Sequence, residues 1–182
     1  MNPLISLKGI YLSQRKDEQM MKALKYTPRL IDIDIQEITL LSEKEYEAAR
    51  EHIKPIEHLW WLRSPGYSDI QVAFVDHDGF VNAYGYYVDA TVSVRPALRM
   101  NGKSNNLKLG DRLHYGGYDW TFISENLALC DTEFCKMNFR EDWKAKDANV
   151  WEVSDIKKSL DDWLEERRYE WLGERRTYKQ SI

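Results

Sequence analysis

The sequence predicts a mixed α+β domain, and three observations carry that prediction. The stretch from Leu59 to Met100 is built of strand and turn signals with no helical stripe. Upstream of it a capping box opens a short helix. Downstream, a long amphipathic stripe begins after Ser154 and closes the chain. With 182 residues, 43% of them hydrophobic and 31% charged, the chain has the length and balance of one ordinary folded domain. Aromatic residues are plentiful at 13%, among them seven Trp and eleven Tyr.

Residues 13–25, SQRKDEQMMKALK, read as a basic helix, with Ser13 as N-cap and Met20, Met21 and Leu24 on one face. In RLIDIDIQEITL, Ile31, Ile33 and Ile35 alternate with Asp32 and Asp34, the period of a half-buried strand. Ser42 and Glu45 then form a capping box, and the helix it opens runs to about Lys54, before Pro55. Ile70–Val75 and Phe80–Tyr84 are paired strands joined by the Asp76-His77-Asp78-Gly79 turn. Gly85 interrupts the return strand, Tyr86–Val88 resumes it, and Val92–Met100 is one further strand with Pro96 at an edge or bulge. Asn101–Asn106 is the most linker-like stretch. A second β region follows, with Gly116-Gly117 as its turn and Leu127–Cys130 as partner strand. The last helix spans about Asp155–Leu172, with Ile156, Leu160, Trp163, Leu164 and Trp171 on one stripe and Gly173 as a left-handed cap. We therefore expect a single domain over 1–182, with sub-regions at 1–30, 31–100 and 107–182.

Charge is unevenly spread. The net value is −4, yet residues 1–30 carry +4 and residues 31–60 carry −5. A uniform nucleic-acid binder is expected to be basic throughout, so wholesale DNA binding is disfavoured. Lys16, Lys22 and Lys25, with Arg15, form a basic face that allows secondary contact with phosphate. No apolar run approaches the roughly 20 residues of a membrane span, and the start lacks the apolar core of a secretion signal. Two cysteines do not make a disulfide framework, so the expectation is a reduced, cytoplasmic protein with no membrane association.

Catalytic and cofactor signals are sparse, and the expectation is a non-enzyme with no cofactor and no metal. Cys130 and Cys135 lack a second Cys or His pair at zinc spacing, and read as two small buried side chains. The Asp76–Gly79 string has too few acids for a calcium loop and reads as a turn. His52, His58, His77 and His114 stand without a nucleophile elbow, and no glycine-rich nucleotide loop is present. Trp60 and Trp61 fall on opposite faces of a strand. One ring then serves as a platform for a sugar or base, or, the favoured expectation, two packed cores share the strand. Arg63 and Arg95, set among apolar neighbours, are expected to pair with acids or carbonyls in a structural role.

The strings ITLLSEKEYEAAREHI, WWLRSPG, AFVDHDGFVNAYGYYV and VRPALRM, then GDRLHYGGYDWTFISENLALC and VWEVSDIKKSLDDWL, resemble a domain family of unknown function common in gut bacteria, their phages and mobile elements. The resemblance covers about residues 38–165 and implies a C-type-lectin-like fold with an irregular antiparallel sheet. In that family the GGYDW and SDIKKSL part precedes the LLSEKE and WWLRSPG part. Here the order is reversed, as in a circular permutation with Asn101–Asn106 as the joint. The family supplies no catalytic residues.

The length and start of the chain also resemble anti-CRISPR proteins directed at type II RNA-guided nucleases. That resemblance implies a non-enzymatic inhibitor that binds the nuclease with its guide RNA and blocks target DNA binding or cleavage. The acidic residues Asp32, Asp34, Glu37, Glu43, Glu45 and Glu47 are the candidates to compete for the nuclease's basic channels. Trp60 and Trp61 are candidate anchors. Arg15, Lys16, Lys22, Lys25, Arg167, Arg168, Arg175 and Arg176 are candidates for further contacts. Two other readings stay open: a lectin-like module for a carbohydrate or peptide using Trp60 or Trp61, and a DNA-binding accessory protein of a phage or mobile element using the lysines and C-terminal arginines.

Overall fold

A computed structural model describes residues 35–101 and 108–179, with side chains through Arg167. These belong to one unit, Ile33–Ile182; Met1–Asp32 is assigned to another and lies outside the described residues. The expected helix at 13–25, the Ile31–Asp34 part of the first strand and nearly all of the linker lie outside them too.

The fold is mixed α+β: among the described residues ten strands form two five-stranded sheets, with two helices. The strands are β1 (Ile35–Thr39), β2 (Trp60–Pro65), β3 (Gln71–Val75), β4 (Val81–Tyr87), β5 (Thr91–Val94), β6 (Ala97–Met100), β7 (Arg112–Tyr115), β8 (Tyr118–Ser124), β9 (Leu127–Cys130) and β10 (Cys135–Asn138). One sheet runs β1-β6-β9-β8-β7 and is antiparallel throughout. The other runs β10-β5-β2-β3-β4 and is mixed, because β2 and β5 pair in parallel at Trp60 and Ser93.

Helix α1 (Glu43–Ala49) begins at the expected capping box. Ser42 Oγ accepts from the Glu45 backbone N at 3.2 Å, and Glu45 Oε2 accepts from the Ser42 backbone N at 2.7 Å. It ends earlier than expected, passing into a 3-10 turn at Arg50–His52. Helix α2 spans Asp155–Lys179, about 37 Å at 1.5 Å per residue. Ser154 Oγ accepts from the Lys157 backbone N at 3.0 Å. The helix continues through Gly173, so that residue is not the expected left-handed cap.

The single strand expected over Val92–Met100 is two strands in different sheets. Val94 ends β5 in the mixed sheet and Ala97 begins β6 in the antiparallel one, so Arg95-Pro96 is the crossing point. Pro96 has no N–H to place in a ladder, and its carbonyl accepts from Cys130 N at 2.9 Å. Arg95, only 2% exposed, donates from Nε to the Cys130 carbonyl at 2.9 Å and from Nη1 to the Lys54 carbonyl at 2.9 Å. Its guanidinium lies 5.3 Å from the Trp60 ring. Burial lowers its pKa to about 10, which leaves it cationic at neutral pH.

Both sheets feed both cores. Trp61, Val72, Phe74, Leu98, Trp120, Phe122 and Ala128 lie in one apolar cluster, closed by Ile156, Leu160 and Leu164 of α2. Trp60, Leu62, Ala73, Val75, Ala97, Ile123 and Leu129 lie in the other, closed by Tyr46 and Ala49 of α1. The alternation of strand side chains sends neighbours to opposite cores. No helix among the described residues is long and apolar enough to cross a membrane.

Candidate functional site: a tyrosine-rich end of the mixed sheet

Trp60 and Trp61 are 1% and 0% exposed, which corrects the expectation of a stacking platform and bears out that of two cores sharing one strand. Tyr46 packs edge-on to Trp60 at 5.5 Å, and Trp61 donates from Nε1 to the Met137 carbonyl at 3.1 Å. Neither ring presents a face to a partner.

The expected acidic patch is corrected at Glu37 and Glu45, where the fold brings arginines onto it. Glu45 Oε2 accepts from Arg63 Nη2 at 2.7 Å, and Glu45 Oε1 accepts from Arg99 Nη2 at 2.7 Å. Arg99 Nε donates to Glu37 Oε1 at 2.7 Å. Two carboxylates thus meet two guanidiniums, and the local charge cancels. Arg63 also donates to the Leu40 carbonyl, in the structural role expected of it. Glu43 donates its backbone N to Ser64 Oγ at 2.9 Å, and Glu47 faces Arg50 at 3.7 Å. Burial pushes the Glu45 pKa up. Hydrogen bonds from the Ser42 backbone, Arg99 and the Ser42 side chain, with the Arg63 charge, outweigh it and hold the carboxyl below its ordinary value. The strings LLSEKE, WWLRSPG and VRPALRM therefore describe one internal network.

Asp32, Asp34, Arg15, Lys16, Lys22 and Lys25 lie outside the described residues, as do the side chains of Arg168, Arg175 and Arg176. Arg167 is engaged locally, 2.6 Å from Glu166 and 4.9 Å from the Trp163 ring centroid. Of the two cysteines, Cys130 is buried as expected, but Cys135 is exposed because it sits on edge strand β10. Burial pushes both thiols up, with the Glu133 charge adding to the effect on Cys135. Such thiols are poor nucleophiles at neutral pH. The described residues contain no group of three or more His, Cys, Asp or Glu placed to hold a metal ion. His114 Nδ1 lies 2.8 Å from Asp119 Oδ1 in an ion-pair lattice that includes Arg112, Asp131 and Thr121. An open concavity beside the start of α2 is lined by charges of both signs, of which Lys157 and Asp161 pair at 2.6 Å.

The surface that stands apart is at the free edge of the mixed sheet. Strand β4 shows three tyrosines to solvent, Tyr84 at 64%, Tyr87 at 56% and Tyr86 at 43% exposed, and Tyr67 of the β2–β3 turn beside it is 74% exposed. The Tyr67 and Tyr84 rings stack at 4.7 Å with 10° between planes, and Tyr67 N donates to the Tyr84 carbonyl at 2.9 Å. Tyr86 stands edge-on to the buried Phe74 at 5.7 Å.

Two glycines shape this surface. Between Val72 and Phe74, one residue of β3 stands opposite three of β4, a bulge centred on Tyr84-Gly85. Gly85 has φ +89°, and a Cβ there would lie 2.9 Å from the Val72 carbonyl oxygen, so the interruption expected at Gly85 is a bulge inside a continuous strand. A Cβ on Gly66 would come within 2.8 Å of the Tyr84 carbonyl oxygen. The bulge re-aims the tyrosines, and Gly66 lets the turn carrying Tyr67 lie against it. Asn149 donates from Nδ2 to the Ser68 carbonyl at 3.1 Å and ties down the same turn. The site is preorganised by backbone contacts.

Sequence reasoning missed this surface because it weighed the tryptophans, the largest rings, as anchors. A usable signal was present: residues 64–94 contain four Tyr and four Asp without a single Lys or Arg.

Residues 16–102 match a family model described as Domain of unknown function (DUF6273). No curated protein and no solved structure matches the chain.

Proposed function

We propose that this chain is a non-enzymatic binding protein that occupies a larger protein through its tyrosine-rich sheet edge, and that the partner is a type II RNA-guided nuclease with its guide. The observation that carries the surface is the exposed set Tyr67, Tyr84, Tyr86 and Tyr87 on a glycine-shaped backbone. Tyrosine offers large, rigid contact area with few rotamers to freeze, and with Asn, Ser and Gly it dominates binding surfaces selected for recognition. Asn82, Ser68 and Gly85 complete that composition here. The partner's identity rests on the sequence resemblance. Inhibition would follow from occlusion of target DNA binding or cleavage.

The test is a plasmid-cleavage titration with purified nuclease, guide and target. Inhibition near equimolar ratio is expected for the wild type, together with co-elution. It should be largely lost in a Tyr67→Ala/Tyr84→Ala variant that keeps its unfolding midpoint. No inhibition at large excess, or full inhibition by the variant, would overturn the proposal.

The same stacked rings favour a second reading, a C-type-lectin-like module whose Tyr67 and Tyr84 platform takes a sugar ring or peptide. A glycan array with hits abolished by Tyr67→Ala would support it; an array without hits would remove it.

A further inference from the structure

What the tyrosine-rich edge takes is written in the charge around it. Residues 64–94 carry four Asp and no Lys, Arg or Glu, so this stretch has a formal charge of −4, equal to that of the whole chain. Two of the four sit at the opposite end of the β3–β4 hairpin, where Asp76 Oδ1 accepts from the Asp78 and Phe80 backbone N groups. The other two stand beside the tyrosines. Asp69 lies in the Ser68–Gln71 turn, one residue beyond Ser68, and Asp89 in the Tyr87–Ala90 turn. Val88 N donates to the Ile70 carbonyl at 3.0 Å and Gln71 pairs with Tyr87, which holds the two turns side by side. Both aspartates are exposed, and no lysine or arginine pairs with either among the described residues. Some acids elsewhere are matched: Glu37 and Glu45 by Arg99, Asp131 by Arg112, Asp161 by Lys157.

We infer that this end of the sheet binds an arginine-rich segment of the partner protein, an inference that rests on the tyrosine-rich edge being the recognition surface. A guanidinium lies flat on a tyrosine ring and at the same time donates in its own plane to a carboxylate. Exposed rings in and next to the turns that carry Asp69 and Asp89 offer both halves of that arrangement. A lysine ammonium gains the charge but not the planar stacking. An acidic segment would meet two exposed carboxylates and be disfavoured.

The test uses the full chain and a fluorescein-labelled peptide of alternating arginine and glycine, read by fluorescence anisotropy at fixed salt. Lysine and glutamate counterparts of the peptide serve as comparison. The arginine peptide should bind more tightly than the lysine peptide, and the glutamate peptide should not bind. Asp69→Asn/Asp89→Asn should weaken the arginine peptide about fivefold, two exposed ion pairs' worth. Asp162→Asn/Glu165→Gln removes the same charge from α2 and should change nothing. Equal weakening by the control pair, or none by Asp69→Asn/Asp89→Asn, would overturn the inference. The cleavage assay separates the two levels. If Tyr67→Ala/Tyr84→Ala relieves inhibition and Asp69→Asn/Asp89→Asn does not, the edge stands and the cationic partner is wrong. If neither relieves it, the edge itself is not the recognition surface and the inference goes with it.

Discussion

The face built around Glu45 and the face built around Tyr84 differ in what the fold does with their conspicuous groups. Around Glu45, acids clustered in the sequence are met by Arg63 and Arg99, which arrive from β2 and β6. The result is an internal network with little left for a partner. Around Tyr84, rings spread over 20 residues of sequence converge at a sheet edge, and nothing described covers them. A charge or ring in the sequence becomes available for binding only if no distant segment folds onto it. The most distinctive strings of this chain are distinctive because they interlock.

The largest contrast is between aromatic residues of the two kinds. Trp61→Ala removes a fully buried ring and its hydrogen bond to Met137, and should cost about 4 kcal/mol in urea denaturation. Tyr84→Ala should cost less than about 1 kcal/mol, while weakening partner binding. Equal costs would erase the distinction between core and recognition rings.

Within α1 the same contrast can be drawn between two glutamates. Glu45→Ala leaves Arg63 and Arg99 partly unpaired and breaks the capping box, for an expected loss of about 2–3 kcal/mol. Glu47→Ala, which gives up one loose pair with Arg50, should change stability by less than about 0.5 kcal/mol. A smaller step concerns Gly85→Ala. With φ +89° and the Val72 backbone at 2.9 Å, it should destabilise by about 1–3 kcal/mol and disturb the Tyr67–Tyr84 stack. Near-ultraviolet circular dichroism would report that disturbance.

The subtlest separation is by pH. The Glu45 carboxyl is held below its ordinary value of 4.5, so its contribution is present above that pH and is lost as pH falls through the lower folded value. The urea midpoint of the wild type should therefore fall more steeply on acidification below about pH 4.5 than that of Glu45→Gln. Parallel curves would mean that the network does not depend on the charge of Glu45.

Local physics made much of this legible in the sequence. The capping box at Ser42 and Glu45, the stripe Ile156-Leu160-Leu164 and the Gly116-Gly117 hairpin depend on neighbours a few residues away, and they appear where periodicity places them. Strand alternation placed the two tryptophans on opposite faces; that both faces are covered depends on the elements that pack on each side of β2. The break at Arg95-Pro96 was not legible, because a strand that changes sheets keeps an unbroken apolar pattern while its hydrogen-bond partners change. The pairing of Glu37 and Glu45 with Arg99 was hidden for a similar reason: it spans 62 and 54 residues of sequence. At the candidate site the tyrosines were visible, but their exposure depended on β4 being an edge, which is a property of the sheet order.

That crossing at Arg95-Pro96 also sets a timetable. Strand β6 is flanked by β1 on one side and β9 on the other, and β5 takes β10 as its outer neighbour. At a synthesis rate of about 5–20 residues per second, β9 is completed roughly 5–18 s after β1. Once made, β5 and β6 keep open edges until these later partners arrive, and neither sheet is complete until Asn138 for β10 and Cys130 for β9. The nascent chain must therefore wait in a partly assembled form, which makes the seconds after Met100 leaves the ribosome its period of greatest exposure to chaperones and to aggregation.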